Sequence, residues 1–73
     1  MKIQLDLEAN ALLIKFRDEK ASRTKEIDED TIIDVDDSGN PIAIEMLNII
    51  PRIPLENFSN VDVNIPVEVH KIK

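Results

Sequence analysis

Apolar and polar residues alternate with a period of two along much of this chain, the pattern of strands that bury one face and wet the other. Ile3, Leu5 and Leu7 alternate with Lys2, Gln4 and Asp6. After the turn-tolerant residues Glu8 to Asn10, Leu12, Ile14 and Phe16 alternate with Leu13, Lys15 and Arg17. The two runs are expected to form an antiparallel hairpin in which Leu7 faces Leu12, Leu5 faces Ile14 and Ile3 faces Phe16. All of these apolar side chains then share one face. The other face pairs Asp6 with Leu13, Gln4 with Lys15 and Lys2 with Arg17, a mostly polar surface.

Ser22 to Asp28 is extended in character but nearly all polar, and reads as a third strand at an exposed edge, guarded by its charges. Its basic residues are expected to stand beside those of the second strand. Thr31 to Asp36 is rich in β-branched residues, and Ile42 to Leu47 is its natural partner. Asn48 to Ile50 either closes that fifth strand or starts a turn of helix. Pro51 and Pro54 interrupt the chain, and Pro54 is placed to open a short helix over Leu55 to Phe58, where its missing N–H is not needed. Val61, Val63, Ile65, Val67 and Val69 then alternate with polar residues and Pro66, which confines this last strand to an edge or a bend. The expected fold is mainly β, with α+β as the alternative: an antiparallel β-meander of about five strands with one short helix and a C-terminal edge strand. Residues 1–73 form a single small domain, divided into a meander over 1–50, a proline-containing turn or short helix over 51–60 and a C-terminal strand over 61–72.

The stretch from Asp34 to Glu45 supports two incompatible readings. Asp34, Asp36, Ser38, Gly39 and Glu45 fall on the spacing of a calcium-binding loop, while the same residues read as the turn and arms of a hairpin. With Ser38 and Gly39 as the central turn residues and Asp37 opposite Asn40, Val35 faces Ile42, Ile33 faces Ile44 and Thr31 faces Met46. Glu45 then lies about 13 Å from the partner of Asp36, at roughly 3.3 Å per residue. Two oxygens on one calcium ion lie within about 5 Å of each other, so hairpin and closed loop exclude one another. The β-branched Thr31-Ile32-Ile33 is a poor entering helix, and Pro51 leaves an exiting helix barely two turns. The hairpin is the preferred reading, with Gly39 supplying the positive φ of its turn. A looser cation contact at Asp34, Asp36 and Asp37 is the minority alternative, and Asp34, Asp36 and Glu45 are the metal candidates.

At 73 residues a single core contributes only a few kcal/mol of net stability, so a disulfide, a metal or a partner subunit is commonly added. There is no cysteine, which removes disulfides and thiolate metal sites. Hydrophobic residues make up 42% and charged residues 33%, the composition of a folded chain rather than a disordered one. A net charge of −6 opposes phosphate-backbone binding, and with Phe16 and Phe58 as the only aromatics the basic run Lys15 to Lys25 lacks stacking partners, so no nucleic-acid partner is expected. The N-terminal run is interrupted by Gln4, Asp6, Glu8 and Asn10, unlike a signal peptide, and no stretch approaches about 18 apolar residues. The expectation is a cytoplasmic protein without a membrane partner.

Catalytic chemistry has few carriers. His70 is the sole histidine, and nothing in its spacing sets it beside a carboxylate and Ser22, Ser38 or Ser59. One glycine cannot build a phosphate-cradling loop. Neither an enzymatic activity nor a cofactor is expected. Glu45 stands out because it lies between Ile44 and Met46, where it is expected to be partly buried and paired with a lysine or arginine, within the chain or across an interface.

The pattern Asp6-x-Glu8-Ala9-Asn10-Ala11-Leu12-x-Ile14-x-Phe16, then Thr24-x-Glu26, Ile33-Asp34-x-Asp36-x-x-Gly39 and Ile42-x-Ile44-Glu45-x-Leu47, resembles the YuzE-like family of short prokaryotic domains of unknown function. The resemblance covers roughly Leu5 to Ile50. It departs from the family at Leu5 and Leu13, near which members carry tyrosine, and at Ala43, where they carry glycine. It implies an antiparallel sheet with a short helix and no established activity. For some members, encoded beside small toxin-like proteins, it implies an antitoxin or partner-binding role.

The function expected from these readings is a non-enzymatic interaction module that forms a homo-oligomer, a dimer first, or binds a small protein partner. The interaction residues expected are Leu13, Ile32, Glu45 and Leu47, of which Leu13, Ile32 and Leu47 put apolar surface on the second face of the sheet. The alternatives are an antitoxin-like regulator of a neighbouring small protein and carboxylate-based binding of a divalent cation at Asp34 and Asp36.

Overall fold

The computed structural model describes residues 1–67. Five strands, β1 (Lys2–Asp6), β2 (Ala11–Lys15), β3 (Arg23–Asp28), β4 (Thr31–Val35) and β5 (Pro41–Leu47), form one open antiparallel sheet in the order β1-β2-β5-β4-β3. The mainly β fold expected from the alternation is the fold observed. A short kinked helical turn, α1 (Ile49–Arg52), and a 3₁₀ turn over Leu55–Phe58 follow β5. Pro54 sits at the N-cap of that 3₁₀ turn, as its missing N–H favours.

The β1–β2 hairpin forms two residues out of the expected register. Leu5 faces Leu12 and Ile3 faces Ile14, while Leu7 falls in the turn and Phe16 lies beyond β2. The turn closes early because Asp6 accepts the Ala9 N–H at 3.0 Å and Asn10 adopts a left-handed φ of 53°, which asparagine tolerates better than most residues. A shift of two preserves which side chains share a face, so Ile3, Leu5, Leu12 and Ile14 still lie together.

The β4–β5 hairpin follows the expected pairing of Thr31 with Met46 and Ile33 with Ile44, then departs at its end. Val35 pairs with Pro41, leaving Ile42 as an extra residue opposite the Asp34–Val35 step. Asp36 therefore closes the turn opposite Asn40, donating its N–H to the Asn40 carbonyl at 3.0 Å, in place of Asp37. Gly39 carries the positive φ, at 85°. The bulge lets Ile42 and Val35 both be buried, at 2% and 3% exposure.

The strand order separates the basic residues expected to be neighbours. β2 lies against β5, whereas β3 pairs with β4 at the far edge, so Lys25 does not stand beside Lys15. The connection from Phe16 to Ser22 passes the ends of β5 and β4, with the Phe16 N–H bonded to the Ile42 carbonyl at 2.8 Å and the Ser22 N–H to the Val35 carbonyl at 2.9 Å. The expected C-terminal strand does not form over 61–67: these residues are exposed and carry no ladder, since alternation makes a strand only where a partner edge is in reach. Residues 68–72 of that expected strand, and His70 among them, lie outside the described residues.

The buried hydrophobic residues are Ala11, Leu12, Val35, Ile42, Ala43 and Ile49. Ile49, fully buried, is held by a two-sided attachment of α1 to the sheet. On one side Asn10 accepts the Ile49 N–H on its backbone carbonyl at 3.1 Å. Its side-chain amide accepts the Ile50 N–H at 3.0 Å and donates to the Ile50 carbonyl at 2.9 Å. On the other side the Arg52 guanidinium donates to the carbonyls of Asp30 and Leu47 at 3.1 and 2.9 Å and to the Thr31 hydroxyl at 3.2 Å. Asn48, in a left-handed conformation with φ 49°, turns the chain out of β5 between these attachments.

Candidate functional site: the two faces of the sheet

Alternation along each strand and the observed register assign every strand residue to a face. Gln4, Leu13, Glu45, Ile32 and Glu26 form one cross-strand row on the second face, and Ala11 beside Leu47 lies along it. The structure thus brings all four expected interaction residues together. Leu13, Ile32 and Leu47 are half-buried, with Glu45 exposed between Leu13 and Ile32. Within one chain the expected partial burial and cationic partner of Glu45 are not found. It is exposed and makes no ion pair or side-chain hydrogen bond among the described residues, because its cross-strand neighbours are Leu13 and Ile32.

A shallow concavity of about 180 Å³ lies beside it, lined by Gln4, Asp6, Ala9, Ala11, Leu13 and Glu45. That is below the roughly 300–1,000 Å³ typical of small-molecule pockets.

The first face, the one the alternation expects to be buried, holds a row of isoleucines. Ile3, Ile14, Ile44 and Ile33 are directly opposite one another across β1, β2, β5 and β4. None is buried: Ile3 is 55% exposed and the other three are half-buried. The next row on this face, Leu5, Leu12, Met46 and Thr31, is different, for Leu12 and Thr31 are buried at 8% and 7% exposure. Arg52 reaches Thr31, and the 3₁₀ turn approaches Leu5, so the segment after β5 covers one end of this face and stops short of the isoleucines. An open apolar hollow of about 560 Å³, lined by Leu5, Leu55, Glu56, Phe58 and Ser59, marks that boundary. The alternation showed that these isoleucines share a face. It could not show that 49–58 covers only part of it.

The candidate carboxylates are engaged separately. Asp36 accepts the N–H groups of Ser38 and Asn40 on one oxygen, both at 2.9 Å, and the Arg17 guanidinium on the other at 2.8 Å. Asp34 accepts the Thr24 hydroxyl at 2.8 Å, and Asp37 accepts that of Ser22. Asp34, Asp36 and Glu45 do not converge, and no group of three or more His, Cys, Asp or Glu residues able to hold a metal ion occurs among the described residues. The spacing that matches a calcium loop is here the spacing of a side-chain-capped turn.

The Arg17 hydrogen bond, joined by the N–H groups of Asn40 and Ser38, holds the Asp36 carboxyl below the usual carboxylate range. The Asp30 N–H and the Thr31 hydroxyl do the same for Asp28. A carboxyl whose folded pKa is lowered adds stability above its unfolded value, near 3.9, and loses it as the pH falls through the folded value. Urea midpoints are therefore expected to fall as the pH drops below about 4. Asp36→Asn is expected to lower the midpoint at pH 7 and to flatten its acid limb; an unchanged acid limb would count against the Arg17–Asp36 contact.

No helix among the described residues is long and apolar enough to cross a membrane. No curated protein and no solved structure matches this chain. A family model described as protein of unknown function, DUF2283, matches residues 2–49. That span runs from β1 to Ile49, the residue anchoring α1, and the chain belongs to this family of small domains of unknown function.

Proposed function

We propose that this chain is a non-enzymatic interaction module that self-associates, as a dimer first, by covering the isoleucine row of its first face. The observation that carries the reading is that Ile3, Ile14, Ile44 and Ile33 lie side by side with none of them buried. Fully burying one such side chain is worth about 1.5–3 kcal/mol relative to leaving it exposed. A second copy supplies a matching apolar row through two-fold symmetry, in which the same patch serves both partners. The YuzE-like resemblance covers nearly the same span as the family match, and its partner-binding implication supports the alternative of a small protein partner.

The test is light scattering across micromolar concentrations on the native chain and on two variants, one per face. Ile3→Glu, at an exposed edge position, is expected to halve the mass while leaving the far-UV circular dichroism unchanged. Leu13→Glu, on the opposite face, is expected to leave the mass as it was. If Leu13→Glu disrupts the assembly and Ile3→Glu does not, the interface is the Leu13, Ile32, Glu45 and Leu47 face. A monomeric native chain that gains mass only when co-purified with a small protein from its host would favour the antitoxin-like reading.

A further inference from the structure

The open sheet has two edges of different character. β3 is exposed along its whole length, carries Arg23, Lys25 and Glu26, and is broken by a register shift between Glu26 and Asp28. Charge and a bulge are devices that keep an edge from pairing. β1 pairs with β2 without a shift, and its other side is unpaired among the described residues. Its apolar Ile3 is 55% exposed beside that edge.

The chain also contains a strand pattern with no partner. Val61, Val63, Ile65 and Val67 are exposed at 61, 67, 67 and 51%, and they alternate with Asp62, Asn64 and Pro66. The 3₁₀ turn from which this segment departs lies against Leu5 of β1, in the hollow lined by Leu55, Phe58 and Ser59. An apolar, strand-patterned segment therefore leaves the body next to an unprotected strand edge.

We propose that Val61–Val67 of one copy adds as a strand to the free edge of β1 in a second copy, which returns its own segment to the first. This rests on the self-association proposed above and specifies what joins the copies. With Val63 beside Ile3, Val63 extends the isoleucine row at its exposed end, and Val61 and Ile65 fall on the same face in either strand direction. Asp62 and Asn64 fall on the face of Lys2 and Gln4, where a parallel strand sets Asp62 beside Lys2 and an antiparallel strand sets Asn64 there. Pro66 has no N–H to give, which a terminal strand tolerates when that position points outward. Seven residues at roughly 3.3 Å each span about 23 Å, enough to run the length of β1.

The test uses the full chain carrying Val63→Lys and Ile65→Lys together; both positions are two-thirds exposed, so the fold of each copy is not at risk. Mass by sedimentation equilibrium and amide hydrogen exchange over Lys2–Asp6 are read on the same samples. The native chain is expected to be a dimer whose outward-facing β1 amides are protected. The double variant is expected to dissociate at least about tenfold more readily and to lose that protection. A double variant that stays dimeric with its β1 amides unchanged overturns the strand addition while leaving self-association intact. A monomeric native chain with protected β1 amides overturns the exchange between copies, because the segment then pairs with its own β1. A monomeric native chain with unprotected β1 amides overturns both proposals.

Discussion

Replacing Ile49 with alanine is expected to remove about 2–5 kcal/mol of stability, the cost of emptying a well-packed aliphatic site. A chain of this length has about 4–11 kcal/mol in all, at roughly 0.05–0.15 kcal/mol per residue. One side chain therefore carries a large share of the fold. The reason is positional: Ile49 is fully buried, its N–H is bonded to the Asn10 carbonyl, and it anchors the segment that covers Leu12 and Thr31. Ile42→Ala, at the β5 bulge and 2% exposed, belongs to the same class. Ile49→Val, which removes one methylene, is expected to cost about 0.5–1.5 kcal/mol. Urea unfolding followed by circular dichroism checks the pair, and an Ile49→Ala loss below about 1 kcal/mol would show that the site collapses or is not core.

Asn10→Ala is expected to cost about 2–5 kcal/mol, from a different source. The substitution breaks two partly buried hydrogen bonds to Ile50, each worth about 0.5–1.5 kcal/mol, and leaves the Ile50 N–H and carbonyl without those partners. It also places a Cβ-bearing residue with no local side-chain bond at φ 53°, which costs roughly 1–2 kcal/mol. Asn10→Gly separates the two terms, because glycine adopts that φ freely and loses only the amide contacts. Asn10→Asp keeps an acceptor for the Ile50 N–H but sets a carboxylate against the Ile50 carbonyl. The expected order of stability is native, then Gly, then Ala, with Asp also below native. A glycine variant as unstable as the alanine variant would assign the whole effect to the amide clamp.

What was legible in the sequence was parity, and parity survives errors of register. The β1–β2 hairpin pairs two residues away from the expected partners, yet Ile3, Leu5, Leu12 and Ile14 still share a face, because a slip of two leaves the pleat unchanged. The β4–β5 register was readable as far as Ile33 and Ile44 for the same reason. It failed at Ile42, where an inserted residue leaves no mark in a period-two pattern.

Neighbour order was not readable either. β2 lies against β5 rather than β3, and nothing in alternation says which strands share an edge. Asn10 reads as a turn residue and is one, but its contact with Ile50 spans 40 positions. Parity sets Leu13 opposite the apolar side of its own hairpin and Ile32, Glu45 and Leu47 opposite that of theirs, and the β2–β5 pairing is what puts all four on one face. The partial exposure of the isoleucine row was not readable, because burial depends on how far 49–58 reaches across the sheet. Val61–Val67 shows the converse limit: a strong strand pattern with no edge of its own chain paired to it.

Self-association through the isoleucine row of the first face is tested most directly by the mass of the native chain in solution. Sedimentation equilibrium at micromolar concentration and moderate salt is expected to give twice the 8.3 kDa chain mass. Association should strengthen as salt screens the repulsion between two copies of net charge −6. A stably folded species of 8.3 kDa at every concentration and salt would contradict it.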